Sequence, residues 1–147
     1  MEFNSVSGKI QGCLDEFVDE LGYGRQLKVS GLYPLYDEFE QGTSDLEQYP
    51  GADSPGVYIF CSPQDFLYIG KSSRYMGNRI WAHIGRAKRE NEKEEYPNAE
   101  EWIKESKPNV GVFTVSFADD HWWLSSALEG YLTEQLKPEY GAKGRRS

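Results

Sequence analysis

The chain has 147 residues and a mass of 16.8 kDa, enough for one compact domain with a short extension. Hydrophobic residues make up 38% of the sequence and can form a core, but no apolar run approaches the roughly 20 residues that span a bilayer. Cys13 and Cys61 form no CxxC motif, which argues against structural zinc and against a disulfide framework. We therefore expect a cytoplasmic protein with no membrane partner.

The net charge of −8 is unevenly distributed along the chain. Residues 1–55 contain eleven acidic and three basic residues and so carry all of the negative net charge. Residues 69–89 contain no acidic residue, whereas a solvated helix face usually mixes both signs. This pattern favours a phosphate-binding surface within an acidic protein. The basic residues of the segment are Lys71, Arg74, Arg79, Arg86, Lys88 and Arg89.

The first part of the chain is predicted to be an extension of the domain. Apolar residues between Val6 and Leu21 recur at intervals of three and four, which predicts an amphipathic helix. Residues 24–55 are rich in Gly, Pro, Tyr and acidic residues without sustained periodicity, which indicates an irregular linker. We therefore predict an acidic N-terminal extension over residues 1–54 and a domain over residues 55–147. The extension is a candidate for holding a protein partner or a second copy of the chain.

The domain itself alternates strand and helix signals. Residues 56–60 and 66–70 are predicted strands around a turn at residues 62–65, and together they predict a hairpin. A helix is expected over residues 78–90 and a charged loop over residues 91–98. A short helix over residues 99–107 and a third strand over residues 110–117 follow.

A long last helix is predicted to begin at a cap formed by Asp119 or Asp120 and to end near Leu136, before Pro138. The predicted fold is α+β, with a small three-stranded antiparallel sheet flanked by helices and an N-terminal amphipathic helix.

The hairpin carries a motif with several parts. One strand contains Gly56-Val57-Tyr58 and the next contains Tyr68-Ile69-Gly70. Arg79 follows Tyr68 by eleven residues, His83 follows Arg79 by four, and Glu129 lies in the last helix. In type and order, these elements resemble the signature of the GIY-YIG nuclease family over about residues 55–142. The alternative for each triplet alone is an ordinary pair of cross-strand aromatic residues.

The resemblance implies that a tyrosine helps to activate a water molecule. Tyr58 and Tyr68 are ten residues apart across a short turn, so their hydroxyls are expected on the same side of the sheet. A phenol with its ordinary pKa near ~10 is a poor base unless cations lower that pKa. Lys71, Arg79 and a bound metal are the available cations. The family pattern does not decide between the two tyrosines, although we slightly favour Tyr58.

Arg79 and His83 are spaced one helical turn apart and are therefore expected on the same helix face. Arginine suits a phosphate because its planar donors can bind two oxygens at once. His83 is expected to accept or relay a proton near neutral pH. His121 has no comparable neighbours and is interpreted as a residue at a helix start.

Glu129 lies at the edge of the apolar stripe of the last helix. On position alone it could be an ordinary exposed glutamate without a functional role. The resemblance implies that Glu129 is the ligand of Mg²⁺ or Mn²⁺, since one carboxylate with waters and substrate oxygens makes a normal magnesium site. The remaining bases, Lys71, Arg74, Arg86, Lys88 and Arg89, are expected to bind the nucleic-acid backbone.

The resemblance thus implies a metal-dependent endonuclease that hydrolyses phosphodiester bonds in DNA, and the sequence does not decide between DNA and RNA. One departure favours an alternative, because Gly141 stands where the family commonly has an asparagine after Pro138. That alternative is a catalytically impaired domain that acts as a nucleic-acid-binding or protein-interaction module. Trp122 and Trp123 are expected to supply one core anchor and one surface cover.

Overall fold

The computed structural model describes residues 4–21, 27–34, 51–84 and 110–140. The predicted loop over residues 91–98 and helix over residues 99–107 lie outside these ranges. The described helices and strands are, in chain order, α1 (Asn4–Leu21), β1 (Leu27–Pro34), β2 (Gly56–Cys61), β3 (Phe66–Ser72), α2 (Met76–Ile84), β4 (Gly111–Phe117) and α3 (Leu124–Leu136), with a 3-10 turn (Asp119–His121) before α3.

The described strands form one antiparallel sheet in the order β1-β4-β2-β3. The α+β class and the hairpin of β2 and β3 are therefore confirmed, but the prediction of three strands is wrong. The additional strand is β1, which lies within the segment predicted to be an irregular linker. Its pairing with β4 shifts register between Val29 and Leu32, and this irregularity breaks the alternation by which a strand is recognised in a sequence.

Helices cover both faces of the sheet, and β2 lies in its centre with every residue buried. Alternate residues of β2 point to opposite faces, so Tyr58 and Phe60 share a core with α2. Val57 and Ile59 share a second core with α1 and α3. The hairpin therefore connects both cores and has its position fixed from both sides.

The predicted N-terminal helix is confirmed as α1, and its apolar face belongs to the second core. Ile10, Leu14 and Phe17 are almost completely buried there. The Tyr131 hydroxyl of α3 donates a hydrogen bond of 2.7 Å to Oε1 of Glu16, which raises the pKa of Tyr131 to about 12 because the bond holds the tyrosine proton. The apolar face of α1 is thus covered within the chain, and a partner for the acidic extension stays a prediction.

The start of α3 differs from the prediction, whereas its end agrees. Asp119 and Asp120 lie in the 3-10 turn, and α3 begins only at Leu124, with Trp123 at the N-cap and no side-chain capping bond. The helix ends at Leu136 as predicted, and Lys137 takes a left-handed conformation with φ of 49°.

The segment after α3 returns to the edge of the sheet. The backbone N–H of Glu139 donates to the carbonyl of Phe66, and that of Tyr140 donates to the carbonyl of Leu67. These two bonds anchor the end of α3 beside β3. None of the described helices is long and apolar enough to cross a membrane.

Candidate active site

A cleft of about 710 Å³ lies where β3, α2 and α3 meet, and most of the predicted catalytic residues contribute to its wall. The hairpin contributes Tyr58 and Tyr68, α2 contributes Arg79, and α3 contributes Glu129. These residues are separated by up to 71 positions in the sequence, so only the tertiary fold brings them together. The full lining is Tyr58, Tyr68, Gly70, Lys71, Ser72, Ser73, Arg74, Tyr75, Asn78, Arg79 and Glu129.

Gly70 makes room for the ring of Tyr58. The two residues are directly paired across the β2–β3 hairpin and therefore point to the same face of the sheet. A Cβ atom at position 70 would collide with Cζ, Oη and Cε1 of Tyr58. The second triplet therefore requires glycine at this position, because any side chain there would displace the Tyr58 hydroxyl.

His83 lies behind the cleft wall and contacts both tyrosines. Its Nε2 is 3.1 Å from the Tyr58 hydroxyl oxygen, within hydrogen-bond distance. Its ring centroid is 4.6 Å from that of Tyr68, and only 8% of the histidine is exposed. The histidine therefore holds the orientation of Tyr58, and it is buried among the rings of Tyr58, Phe60 and Tyr68.

The loop before β2 fixes the position of α2 and with it Arg79 and His83. The N–H groups of Met76 and Gly77, at the start of α2, donate to the carbonyls of Ser54 and Ala52 at 3.0 and 2.9 Å. These bonds satisfy two of the donors that a helix N-terminus leaves unpaired. The helix therefore begins two residues before the predicted start at residue 78. Arg79 and His83 lie one turn apart in it, as predicted.

Burial raises the pKa of Tyr58 above its ordinary value, and the positive charge of Arg79 lowers it only in part. Repulsion from the Tyr68 phenolate, where it forms, and from the Glu129 carboxylate adds to the increase, while hydrogen bonding by Arg79 opposes it. The Tyr58 hydroxyl is therefore neutral at physiological pH. Any proton that it takes from a water molecule must be matched by a proton that it gives to a neighbour.

Glu129 is half-buried in the cleft, and burial raises the pKa of its carboxyl group, while the charge of Lys71 lowers it in part. No group of three or more His, Cys, Asp or Glu side chains that could hold a metal ion occurs among the described residues. Among the described residues of the cleft wall, Glu129 is the carboxylate that could hold a metal ion. Oxygen donors of this kind fit Mg²⁺ or Mn²⁺ that keeps most of its waters and binds substrate oxygens.

The predicted basic surface is described only in part. Lys71 and Arg74 are exposed and belong to the cleft wall. Arg86, Lys88 and Arg89 lie outside the described residues, as does Gly141, the residue at which the sequence departs from the pattern that it otherwise resembles. His121, interpreted as a residue at a helix start, lies in the 3-10 turn before α3 and pairs with Asp120 at 3.0 Å.

Four polar or aromatic residues of the cleft had no predicted role in the site. Ser72 and Ser73 follow the second triplet, and the Ser72 hydroxyl accepts a hydrogen bond of 3.2 Å from the Arg74 N–H. Tyr75 directly precedes α2, Asn78 lies in its first turn, and both complete this part of the wall. Their closeness in sequence to Lys71 and Arg79 is the feature from which a place in the site could have been predicted.

The prediction that one of the two adjacent tryptophans is a core anchor and the other a surface cover is wrong. Trp122 is 51% exposed and Trp123 is 45% exposed, so neither is a core anchor. The residue that anchors this end of α3 is Leu124, which is buried in the second core. Both tryptophans lie between the 3-10 turn and the first residue of α3, so they precede the apolar stripe of that helix.

Comparison with known proteins found no matching family model, no matching curated protein and no matching solved structure.

Proposed function

We propose that the protein is a metal-dependent endonuclease that hydrolyses phosphodiester bonds in DNA within this cleft. The observation that carries the proposal is the convergence of Tyr58, Arg79 and Glu129 on one open cleft, with His83 hydrogen-bonded behind Tyr58. Cutting a phosphodiester requires an activated water, stabilisation of the non-bridging oxygens and help for the leaving oxygen. The cleft offers one group or more for each of these tasks.

Tyr58 and His83 are suited to move the proton of the attacking water. When Nε2 of His83 carries no proton, the neutral Tyr58 hydroxyl donates to it. In this proposal the Tyr58 hydroxyl, which lies in the cleft wall and is buried in the absence of substrate, accepts a proton of the water through its oxygen. Transfer from the water to Tyr58 and from Tyr58 to His83 activates the water without requiring a free phenolate, which burial disfavours.

Arg79 and Glu129 are suited to the phosphate. Arg79 is exposed in the cleft, and its guanidinium can donate to two phosphate oxygens as charge develops on them. Glu129 would hold Mg²⁺ or Mn²⁺, which supplies Lewis-acid stabilisation of the phosphate and leaving oxygens when bound. Lys71 lies beside Glu129 and adds positive charge to the same wall.

Incubation of the purified chain with supercoiled plasmid tests the proposal. We expect nicked or linear product with Mg²⁺ or Mn²⁺ and intact plasmid with a chelator. A gel-shift assay on the same samples distinguishes an active nuclease from the alternative that Gly141 suggests, a catalytically impaired module that binds nucleic acid without cutting it. Plasmid that is bound but stays intact with every divalent metal would contradict the proposed activity and support that alternative.

Replacement of Tyr58 by phenylalanine is expected to slow cleavage roughly a hundredfold, because it removes the hydroxyl that relays the proton to His83. The ring that fills the space above Gly70 is kept, so we expect the fold to survive. Cleavage rates and thermal unfolding of both proteins check this. The matched variant Tyr68→Phe tests which tyrosine acts, since an equal or larger loss there would contradict the role of Tyr58.

Replacement of Lys71 or Arg74 by alanine is expected to reduce the salt dependence of DNA binding. Each exposed cation that neutralises a phosphate contributes about 0.7–0.9 to the slope of log K against log salt. Binding measured over a range of NaCl concentrations should show a slope smaller by about that amount. Lys28→Ala is the control, because Lys28 is exposed on β1, at the opposite edge of the sheet. An unchanged slope in the cleft variants would contradict their contact with phosphate.

A further inference from the structure

Tyr75 is an exposed aromatic residue in a cleft wall that is otherwise mainly polar and basic. Half of its surface is exposed, and it lies in the turn between β3 and α2. The exposed large hydrophobic residues among the described part of the chain are Val29, Tyr75, Trp122 and Trp123, and of these Tyr75 alone lines the cleft. A tyrosine ring held in water beside a binding site offers a flat apolar surface to a ligand.

The charges around Tyr75 indicate which ligand fits. Arg74 is its direct neighbour, and Lys71 and Arg79 line the same cleft. The Arg74 N–H donates to the Ser72 hydroxyl at 3.2 Å, which holds the turn in a fixed shape. A ring next to phosphate-binding cations matches the two parts of a nucleotide, namely its phosphate and the flat face of its base.

The pairing state of the nucleic acid decides whether this contact can form. In a continuous duplex the faces of each base are covered by stacking on its neighbours, and the base edges meet the complementary strand. A base can place its face on Tyr75 only where it is unpaired or has been turned out of the stack.

We propose that Tyr75 stacks on an unpaired base next to the phosphate in the cleft, and that the protein thereby selects nucleic acids with a single-stranded segment at the site of cutting. This inference rests on the proposed nuclease function and specifies its substrate class. Tyr75 acts on substrate choice and takes no part in the transfer of protons.

The test measures binding of fluorescent oligonucleotides in the presence of a chelator, so that nothing is cut. A short single strand is compared with the blunt duplex of the same sequence, for the wild type, Tyr75→Ala and Tyr75→Phe. We expect Tyr75→Ala to weaken single-strand binding about tenfold or more and duplex binding less than about threefold. Tyr75→Phe keeps the flat ring and should bind both as the wild type does.

Trp123→Ala is the matched control, because it also removes a ring that is about half exposed but one that lies outside the cleft wall. It should leave both affinities unchanged. Equal weakening of single-strand and duplex binding by Tyr75→Ala, no weakening at all, or a wild type that does not bind the single strand would each overturn the inference. Selective weakening by Tyr75→Ala with no cutting by the wild type in Mg²⁺ would uphold the inference about binding and defeat the nuclease proposal alone.

Discussion

Replacement of Glu129 by glutamine is expected to slow metal-dependent cleavage roughly a thousandfold, because a metal bound at this carboxylate supplies several kcal/mol of transition-state stabilisation. Glutamine has nearly the same shape but offers a neutral amide in place of the carboxylate. Glu129 is the carboxylate in the described cleft wall. The rate of plasmid nicking at several Mg²⁺ concentrations measures the loss.

The same substitution is expected to leave the protein folded and at least as stable as the wild type at neutral pH. A carboxyl group whose pKa is raised on folding binds its proton more tightly in the folded state, so stability falls as pH rises through that pKa. A neutral amide removes this cost. Glu134→Gln is the control, because Glu134 is exposed on the same helix and lies outside the cleft wall. Full activity of Glu129→Gln would contradict the metal-binding role.

Replacement of Gly56 by alanine is expected to lower the free energy of unfolding by about 3 kcal/mol or more. A Cβ atom there would collide with the backbone carbonyl oxygen of Val115 and would lie 2.8 Å from Cε of Met76. The carbonyl belongs to β4, the strand paired with β2, and Met76 begins α2. Relief of the collision must therefore move the central strand pair or the helix that carries Arg79. Urea unfolding of the variant measures the loss.

Gly12→Ala is the control for that experiment, because Gly12 lies in α1 with no heavy atom near the position of an added Cβ. Alanine in a helix is favoured over glycine, so this variant should gain about 0.5–1 kcal/mol. A Gly56→Ala variant as stable as Gly12→Ala would contradict the close packing of β2 against β4 and α2.

The sequence is most informative where one residue pattern maps onto one element. Alternation and a short turn predict the β2–β3 hairpin, and the apolar spacing of residues 6–21 predicts α1. The bulged strand β1 escapes prediction, because the register shift between Val29 and Leu32 hides its period. The predicted start of α3 is wrong for a different reason. Aspartate is a common capping residue, but Asp119 and Asp120 belong to a 3-10 turn that precedes the helix.

For the candidate site, residue types and spacing predict which residues approach each other but not how they touch. The spacing of Arg79 and His83 fixes their common helix face. The hydrogen bond between His83 and Tyr58 depends on the packing of α2 against β2, which no local pattern encodes. Tyr75 is missed for a similar reason, because whether a turn tyrosine is buried or exposed is decided by elements distant in sequence.

A single-turnover cleavage rate at saturating protein and Mg²⁺ decides whether this cleft cuts phosphodiester bonds. One series compares the wild type with Tyr58→Phe, Glu129→Gln and Glu134→Gln. We expect equal rates for the wild type and Glu134→Gln and rates at least roughly a hundredfold lower for the two cleft variants. Equal rates in all four proteins, or no cleavage by the wild type despite saturated binding, would contradict the proposed activity.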